Sequence, residues 1–369
     1  MSVKKLLREI IPERFSYYWK KIENSNNIDE DLRHITNLFI KSESYKFVSN
    51  YWHKINIENY KILSSLGVKK YGSSIAKSYY TFTEIWHDEW FEDLVSETKK
   101  NEFSLNSNQL YKKHDGLKLK ESINYNYLCY LLFYHLKQKD VFAFLDKLND
   151  STYTGFNDPF IEVENKKITT DKIISLLDYD KINRAFKIGD GQKILEIGAG
   201  SGRTCEGILT IKPNLNYIIC DIVPALYISY TRLKAAFPQK KIFLGIDIED
   251  GIELEKKILE NDIVFIFPHQ LKVLSKSFID LTLAIDCLHE MDKKTIKYYC
   301  NIFSIISKNF YLSIWNKTNV PYSKGILNKE NRLDYNAGDY NLPKNWEKKF
   351  NEKVIFPSNQ ISLGFKINQ

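Results

Sequence analysis

A short apolar strand followed at once by a glycine-rich turn is the feature that most constrains the fold of this chain. The run Lys193–Ile197 is apolar, and Gly198, Gly200 and Gly202 come directly after it. Glycine tolerates positive φ and lets the backbone approach a ligand closely, as a strand-to-helix turn around a ligand requires. A helix is predicted over Arg203–Ile211, with its amino end facing the turn. The segment therefore predicts a nucleotide-like ligand on an α/β sheet.

From Lys193 onward, short β-branched runs alternate with helical stretches, which is typical of a parallel sheet with crossover helices. The predicted strands are residues 193–197, 216–220, 241–245, 263–267, 281–285 and 310–314. Residues 354–357 and 361–366 predict a terminal antiparallel hairpin. A reversed hairpin after parallel strands resembles the class I methyltransferase fold. We therefore predict an α/β fold with a Rossmann-like sheet and an antiparallel C-terminal hairpin.

Residues 1–150 are predicted to form a helical N-terminal domain, and residues 151–369 the sheet domain. Hydrophobic periodicity predicts helices that begin near Asp29, over residues 83–99 and, most strongly, over residues 125–148. The apolar excess of the last helix predicts burial in the interior or in a subunit contact. Turn-forming residues predict connectors at 68–74 and 149–159, and we place the domain junction in the second.

Composition excludes several classes of protein. No stretch approaches the roughly 18 uninterrupted apolar residues of a membrane span, and the first residues are too charged for a signal peptide, so we expect a cytoplasmic protein. Lys and Arg number 53 against 46 Asp and Glu, an excess that could attract phosphorylated or acidic saccharide substrates or form a solvated surface, while the scatter of the lysines argues against nucleic acid. The five cysteines are scattered without a CxxC pair, so neither a disulfide framework nor a metal site is predicted.

The spacing of the glycine turn separates two classes of cofactor. Dinucleotide folds use GxGxxG, and this chain has Arg203 where the third glycine would stand. The turn here is GxGxG, and Glu196 before it would repel a pyrophosphate. An acidic strand end suits the cationic methionine part of S-adenosylmethionine (SAM). A Walker loop is excluded, because no Gly-Lys-Ser/Thr ends the segment.

Acidic residues after the next two predicted strands strengthen the prediction of SAM. Asp221 stands where a carboxylate binds both ribose hydroxyls, although it could instead cap a helix. Asp247 stands where a side chain could reach the adenine amino group. It could instead be a surface residue, in which case Ile248 or the neighbouring backbone could bind the adenine. The predicted cofactor-binding residues are Glu196, Gly198, Ala199, Gly200, Gly202, Arg203, Asp221, Ile222, Asp247, Ile248 and Asp286.

Three titratable residues, Asp286, His289 and Glu290, follow the strand Leu281–Ile285. Chemistry in open α/β sheets gathers at the carboxyl ends of strands, and methyl transfer to a hydroxyl needs an aligned acceptor and a base. We predict all three as catalytic candidates: His289 has a suitable intrinsic pKa, and either carboxylate could orient it or act instead. They could equally cap the following helix. His269, after another strand, is a weaker candidate.

Residues 332–341 are dense in hydrogen-bonding and aromatic groups, which suit a sugar but also occur in ordinary polar loops. We predict Tyr335 and Asn336 as substrate-binding residues there.

Residues 154–175 and 220–229 and the box Leu288-His289-Glu290-Met291 resemble the bacterial sugar O-methyltransferase family. The resemblance covers roughly residues 150–365, and its most specific part is Asp-Ile-Val-Pro-Ala-Leu-Tyr, which begins at Asp221. It implies methyl transfer from SAM to a sugar of capsule or lipopolysaccharide biosynthesis, and we predict Asn157 as a substrate-binding residue. Relatives often carry another polar residue at the position of His289, which makes Glu290 at least as good a candidate for the base.

We therefore predict a SAM-dependent O-methyltransferase of a nucleotide-activated or otherwise phosphorylated sugar. The helical N-terminal domain would cover the acceptor pocket or form a homodimer contact. Other acceptors remain open, namely a small non-sugar metabolite or a phosphoramidate-type capsule group. An RNA methyltransferase would need a clustered basic groove, and the intact acidic strand ends argue against a non-catalytic binding module.

Overall fold

The computed structural model describes residues 15–79, 92–98, 105–139, 143–148, 158–324, 330–336, 340–358 and 360–368. The described N-terminal part is helical, as predicted. Its helices are α1 (Glu30–Lys41), α2 (Asn50–Leu66), α3 (Tyr71–Tyr79), α4 (Glu92–Thr98), α5 (Ser107–Leu110) and α6 (Leu119–Lys139). Asp29 caps α1 as predicted, since its carboxylate accepts the Leu32 N–H at 2.8 Å.

Two local predictions in this region are wrong. The predicted connector at residues 68–74 is a 3-10 turn, Val68–Lys70, that continues directly into α3. The helix predicted over residues 125–148 begins earlier, at Leu119, and ends at Lys139. Ala143 has φ +53°, a left-handed conformation that interrupts a helix, and Leu145–Lys147 is a separate 3-10 turn. Residues 83–91 of the other predicted helix lie outside the described residues, and α4 covers most of its remainder.

The sheet contains most of the predicted strands. They are β3 (Lys193–Ile197), β4 (Asn216–Cys220), β5 (Ile242–Leu244), β6 (Ile263–Ile266), β7 (Leu281–Ile285), β8 (Asn309–Trp315), β11 (Trp346–Lys353) and β12 (Gln360–Ile367). Short hairpins are formed by β1 (Ile161–Val163) with β2 (Lys166–Ile168), and by β9 (Lys317–Lys324) with β10 (Glu330–Asn336). The helices of this part are α7 (Thr170–Phe186), α8 (Arg203–Ile211), α9 (Ala225–Ala236), α10 (Gly251–Glu260) and α11 (Lys293–Ile306).

The strand order β11-β12-β8-β7-β3-β4-β6-β5 confirms the predicted fold class. The neighbouring strands β8, β7, β3, β4, β6 and β5 are parallel to one another, whereas β12 is antiparallel to β8 and to β11. The carboxyl ends of β3, β4, β6 and β7 therefore meet at one edge of the sheet, where such folds bind ligands.

The first strand of the predicted C-terminal hairpin is misplaced. Residues 354–357 form the connection between β11 and β12, and the strand is Trp346–Lys353. β11 is the edge strand and exposes most of its side chains, so it lacks the apolar pattern of a buried strand. The apolar residues lie instead in the connection, where Val354 and Phe356 are buried.

One hydrophobic core joins the N-terminal helices to one face of the sheet. Ile35 of α1 and Leu128 of α6 belong to the same buried cluster as Ile208 of α8. A second cluster under α10 and α11 covers the other face. The domain junction near residue 150 stays a prediction, since residues 149–157 lie outside the described part. Among the described helices, none combines the length and hydropathy of a membrane span.

Candidate active site

A cavity of about 520 Å³ lies at the carboxyl ends of the central strands. Its floor is the glycine loop after β3, residues 198–201, together with Asp221 after β4. Asp286 and Glu290, after β7, form a side wall. Trp52 of α2 and Tyr71 of α3 line it from the N-terminal region. The volume is that of an ordinary small-molecule site, and the helical N-terminal part contributes to its lining.

Two glycines of the loop fulfil different requirements. Gly198 has φ +66°, and a Cβ there would lie 2.7 Å from Cys287 Cβ, so the loop packs against the segment after β7. Gly200 has φ +59°, and a Cβ there would meet nothing within 4 Å, because this residue faces the cavity. Its N–H donates to Asp221 Oδ2 at 2.8 Å, which connects the glycine loop to the end of β4.

Glu196 and Asp221 are buried carboxylates with raised pKa values. Burial raises the pKa of Glu196 to about 7, although the Tyr217 hydroxyl donates to its Oε2 at 2.8 Å. Burial also raises the pKa of Asp221 to about 7, against the N–H groups of Gly200 and Ile222 that donate to it. A site of this kind favours a cationic or hydroxyl-bearing ligand, which stabilises the ionised carboxylates.

Asp247 and Ile248 are not among the residues that line the cavity. The strand before them, β5, is the sheet edge, and β6 lies between it and β4. Asp247 is exposed, and the buried Gln270 fixes this turn by donating to the Gly245 and Ile248 carbonyls, each at 2.7 Å. Pro268, just after β6, lines the cavity, whereas Asp247 does not. The adenine role of Asp247 and Ile248 stays a prediction that the geometry does not favour.

Asp286 is held in an unusual backbone conformation, with φ +55°. Its Oδ1 accepts the indole N–H of Trp315 at 2.8 Å and the side-chain amide of Gln360 at 3.0 Å. These donors fix the carboxylate at the cavity wall. Strain of this type persists only where the surroundings impose it, and it is concentrated at functional sites.

Glu290 faces the cavity, and burial, reinforced by the charge of Asp286, raises its pKa to about 8. The indole N–H of Trp52 donates to its Oε2 at 3.1 Å. A carboxylate with a pKa near neutrality in a ligand-sized cavity has the properties of a general base.

The two candidate histidines do not line the cavity. His289 is buried, its Nδ1 has no hydrogen-bond partner among the described residues, and burial lowers its pKa. Its Nε2 lies 3.8 Å from Asp286 Oδ1 and 4.0 Å from Glu290 Oε1, beyond hydrogen-bond distance. His269 bonds to Ser44 through Nδ1 and to Glu249 through Nε2, at 2.8 and 2.9 Å. It joins segments of the fold.

The predicted substrate-binding residues can be placed only in part. Asn157 lies outside the described residues. Tyr335 and Asn336 are in β10, paired with Thr318 and Lys317 of β9. Their backbones therefore lie beside the residues that follow Trp315, whose indole bonds Asp286.

Several lining residues were not predicted from the sequence as site residues. Asp171 and Asp178 line the cavity from one face of α7, and seven residues is the helical spacing that could have revealed them. Asp171 Oδ2 is buried with no hydrogen-bond partner in the described structure. Asp178 accepts the Tyr311 hydroxyl at 2.6 Å. Gln360 and Trp52 carry no local signal, because their partners are distant in the sequence.

No protein family and no curated protein matches the chain significantly. Among solved structures, it is similar to the pyocyanin biosynthetic protein PhzM (12% identity over 53% of this chain and 56% of that one; TM-score 0.33). It is also similar to the N-terminal domain of EvdMO1 with SAH bound (12% identity over 57% of this chain and 90% of that one; TM-score 0.35). A third similar structure is geranyl diphosphate C-methyltransferase from Streptomyces coelicolor A3(2) (7% identity over 54% of this chain and 80% of that one; TM-score 0.35). The chain thus spans little more than half of PhzM. Scores this low say nothing about reaction or substrate.

Proposed function

We propose that this protein is a SAM-dependent O-methyltransferase that acts on a sugar hydroxyl. One observation carries the proposal. The glycine loop, bracketed by Glu196 and Asp221, opens into the same cavity as Glu290, a carboxylate suited to remove a hydroxyl proton. A cofactor subsite and a base therefore face one space.

The residues around the glycine loop fit SAM. Asp221 is held by two backbone N–H groups at the end of β4 and would bind the ribose hydroxyls. Asp171, whose Oδ2 is buried and unpartnered, and Arg203, which stabilises the ionised form of Asp171, would hold the ammonium and carboxylate of the methionine part. The open space at Gly200 lets a ligand approach the backbone. When bound, SAM supplies an electrophilic methyl group.

Glu290 is the better candidate for the base than His289. Glu290 lines the cavity, whereas His289 is buried outside its lining and makes no hydrogen bond through Nδ1 with a described residue. Glu290 would accept the proton of the acceptor hydroxyl, and Asp286, fixed by Trp315 and Gln360, would orient the acceptor through a further hydrogen bond.

The polar and aromatic lining supports a sugar as acceptor. Trp52 and Tyr71 offer aromatic surface, and Asp178, Asp286 and Gln360 offer hydrogen-bonding groups. A role in capsule or lipopolysaccharide biosynthesis rests on the sequence resemblance alone. The cavity lining carries the carboxylates of Asp178, Asp286 and Glu290, which would repel a phosphate. We therefore propose that any phosphate of a phosphorylated sugar acceptor stays outside the cavity.

Calorimetry with S-adenosylhomocysteine (SAH) tests the cofactor subsite. In Asp221→Ala the dissociation constant should rise about 10- to 100-fold, as expected for the loss of hydrogen bonds to a charged group. Asp247→Ala, an exposed acid on the edge turn, is the matched control and should bind normally. Equal affinity of wild type and Asp221→Ala would refute the placement, and Asp221→Asn repeats the test if the alanine variant folds poorly.

Incubation with labelled SAM and a panel of free and nucleotide-linked sugars tests the acceptor. We expect label in a sugar. Label that went only to RNA or to small amines would refute the sugar assignment while leaving methyl transfer intact.

A further inference from the structure

The indole of Trp52 connects the N-terminal helical region to the candidate base. Trp52 lies in the first turn of α2, where its backbone N–H donates to the capping hydroxyl of Ser49. Its side chain reaches Glu290, 238 positions further along the chain, and donates to Oε2 at 3.1 Å. Both residues line the cavity, so this hydrogen bond crosses from the N-terminal region to the sheet wall.

We infer that Trp52 is a positioning residue: its indole N–H orients the Glu290 carboxylate and favours the ionised form of that carboxylate. The inference rests on the proposed function, in which Glu290 accepts the hydroxyl proton. With Oε2 held by the indole, Oε1 remains for the acceptor. Trp52 is the one donor to this carboxylate among the hydrogen bonds of the described residues.

The groups around Glu290 explain why a donor is needed. Carboxylates nearby oppose its ionisation, and the neighbouring imidazole is kept neutral by burial and does not compensate for them. The titratable groups that face or adjoin it are Asp286, Asp221, Cys287 and His289. Hydrogen bonding to the charged form is the remaining way to favour ionisation, and the indole N–H supplies it.

Packing fixes the segment that leads into α2. Phe47 stacks on Tyr298 with ring centroids 4.5 Å apart. Ser44 Oγ accepts the backbone N–H of His269 at 2.9 Å and bonds to its Nδ1 at 2.8 Å. These contacts tie Phe47 to α11 and Ser44 to the turn after β6, so Trp52 is placed by the tertiary structure. The N-terminal region thereby takes part in the proposed catalytic arrangement.

Trp52→Phe removes the donor and keeps an aromatic ring. In ligand-free protein labelled with carboxyl ¹³C-glutamate, NMR titration reports the ionisation of Glu290, whose resonance is assigned by its absence in Glu290→Gln. Loss of a hydrogen bond to a charged group should reduce the ionised fraction at neutral pH about tenfold, as a higher pKa. Turnover should show kcat reduced by a similar factor, with less change in KM.

Trp346→Phe is the matched control, because this buried indole donates to Ser304 Oγ at 3.1 Å in another part of the sheet. It should leave the titration of Glu290 unchanged. Trp52→His restores a ring N–H donor and should recover part of the ionised fraction, which a purely structural role of Trp52 would not produce.

An unchanged pKa of Glu290 in Trp52→Phe, or an equal shift in Trp346→Phe, would overturn the inference. Should Trp52→Phe fold poorly, Trp52→His decides: a wild-type-like pKa there supports the inference, and a pKa raised as if no donor were present overturns it. The titration does not depend on turnover. Failure of SAH to bind wild-type protein would therefore count against the proposed function and not against this hydrogen bond.

Discussion

Alanine at Gly198 and alanine at Gly200 should separate the structural role of the glycine loop from its role in binding. Both residues have positive φ, +66° and +59°, so each alanine should cost about 1–2 kcal/mol of backbone strain. At Gly198 the new Cβ would also lie 2.7 Å from Cys287 Cβ, an overlap that should add about 1–3 kcal/mol. At Gly200 the new Cβ meets no atom within 4 Å.

The difference between the two variants is therefore the overlap term, since the backbone strain and the loss of unfolded-state entropy are common to both. At about 2 °C per kcal/mol for a chain of this size, Gly198→Ala should melt about 2–6 °C below Gly200→Ala. SAH binding should show the reverse order. Gly200→Ala should weaken SAH binding by tenfold or more, because the alanine methyl group would occupy the space through which the ligand approaches the backbone of the glycine loop.

Differential scanning fluorimetry and calorimetry with SAH measure the two effects on the same samples. Cys287→Gly removes the overlapping Cβ and should recover part of the stability in the double variant with Gly198→Ala, as a double-mutant cycle. Equal melting temperatures for the two single variants would refute the overlap. Wild-type affinity for SAH in Gly200→Ala would refute the location of the cofactor.

Two further predictions concern pH and the buried ion network. The pKa of Glu290 is raised to about 8, and the proposed mechanism uses its ionised form as the base, so kcat/KM should rise with pH up to about 8 and then level off. Glu290→Gln should lower kcat by about 10²- to 10⁴-fold and abolish this dependence; an unchanged profile would move the base elsewhere. Arg232 pairs in the interior with Asp158 and Glu206 at 3.0 and 2.8 Å, so Arg232→Met should destabilise the fold by about 3–5 kcal/mol in denaturant titration. A loss under about 1 kcal/mol would contradict the pairing.

The glycine-rich turn was predictable from the local spacing of residues in the sequence. The turn from β3 through Gly198 and Gly200 into α8 forms where predicted, because strand, turn and helix are contiguous and their signals do not depend on distant residues. Buried parallel strands such as β7 were recognisable for the same reason, since both faces demand apolar residues. β11 was not, because an edge strand exposes its side chains.

The tertiary structure decided the order of the strands in the sheet and which side chains line the cavity. The sequence gives β5 before β6, but long-range pairing puts β6 beside β4, and Pro268 lines the cavity while Asp247 is exposed at the edge. A single sequence does not encode such pairing in any local pattern.

His289 and Glu290 are adjacent in the sequence, and both have side chains suited to act as a base. Only the three-dimensional packing shows that Glu290 faces the cavity and that His289 is turned into the interior. The donor to Glu290, Trp52, lies in a helix 238 positions away. The sequence alone thus determined the kind of fold and the position of the glycine loop, because these follow from local periodicity and backbone freedom. Which side chain can act on the acceptor was decided by contacts between segments that only folding brings together.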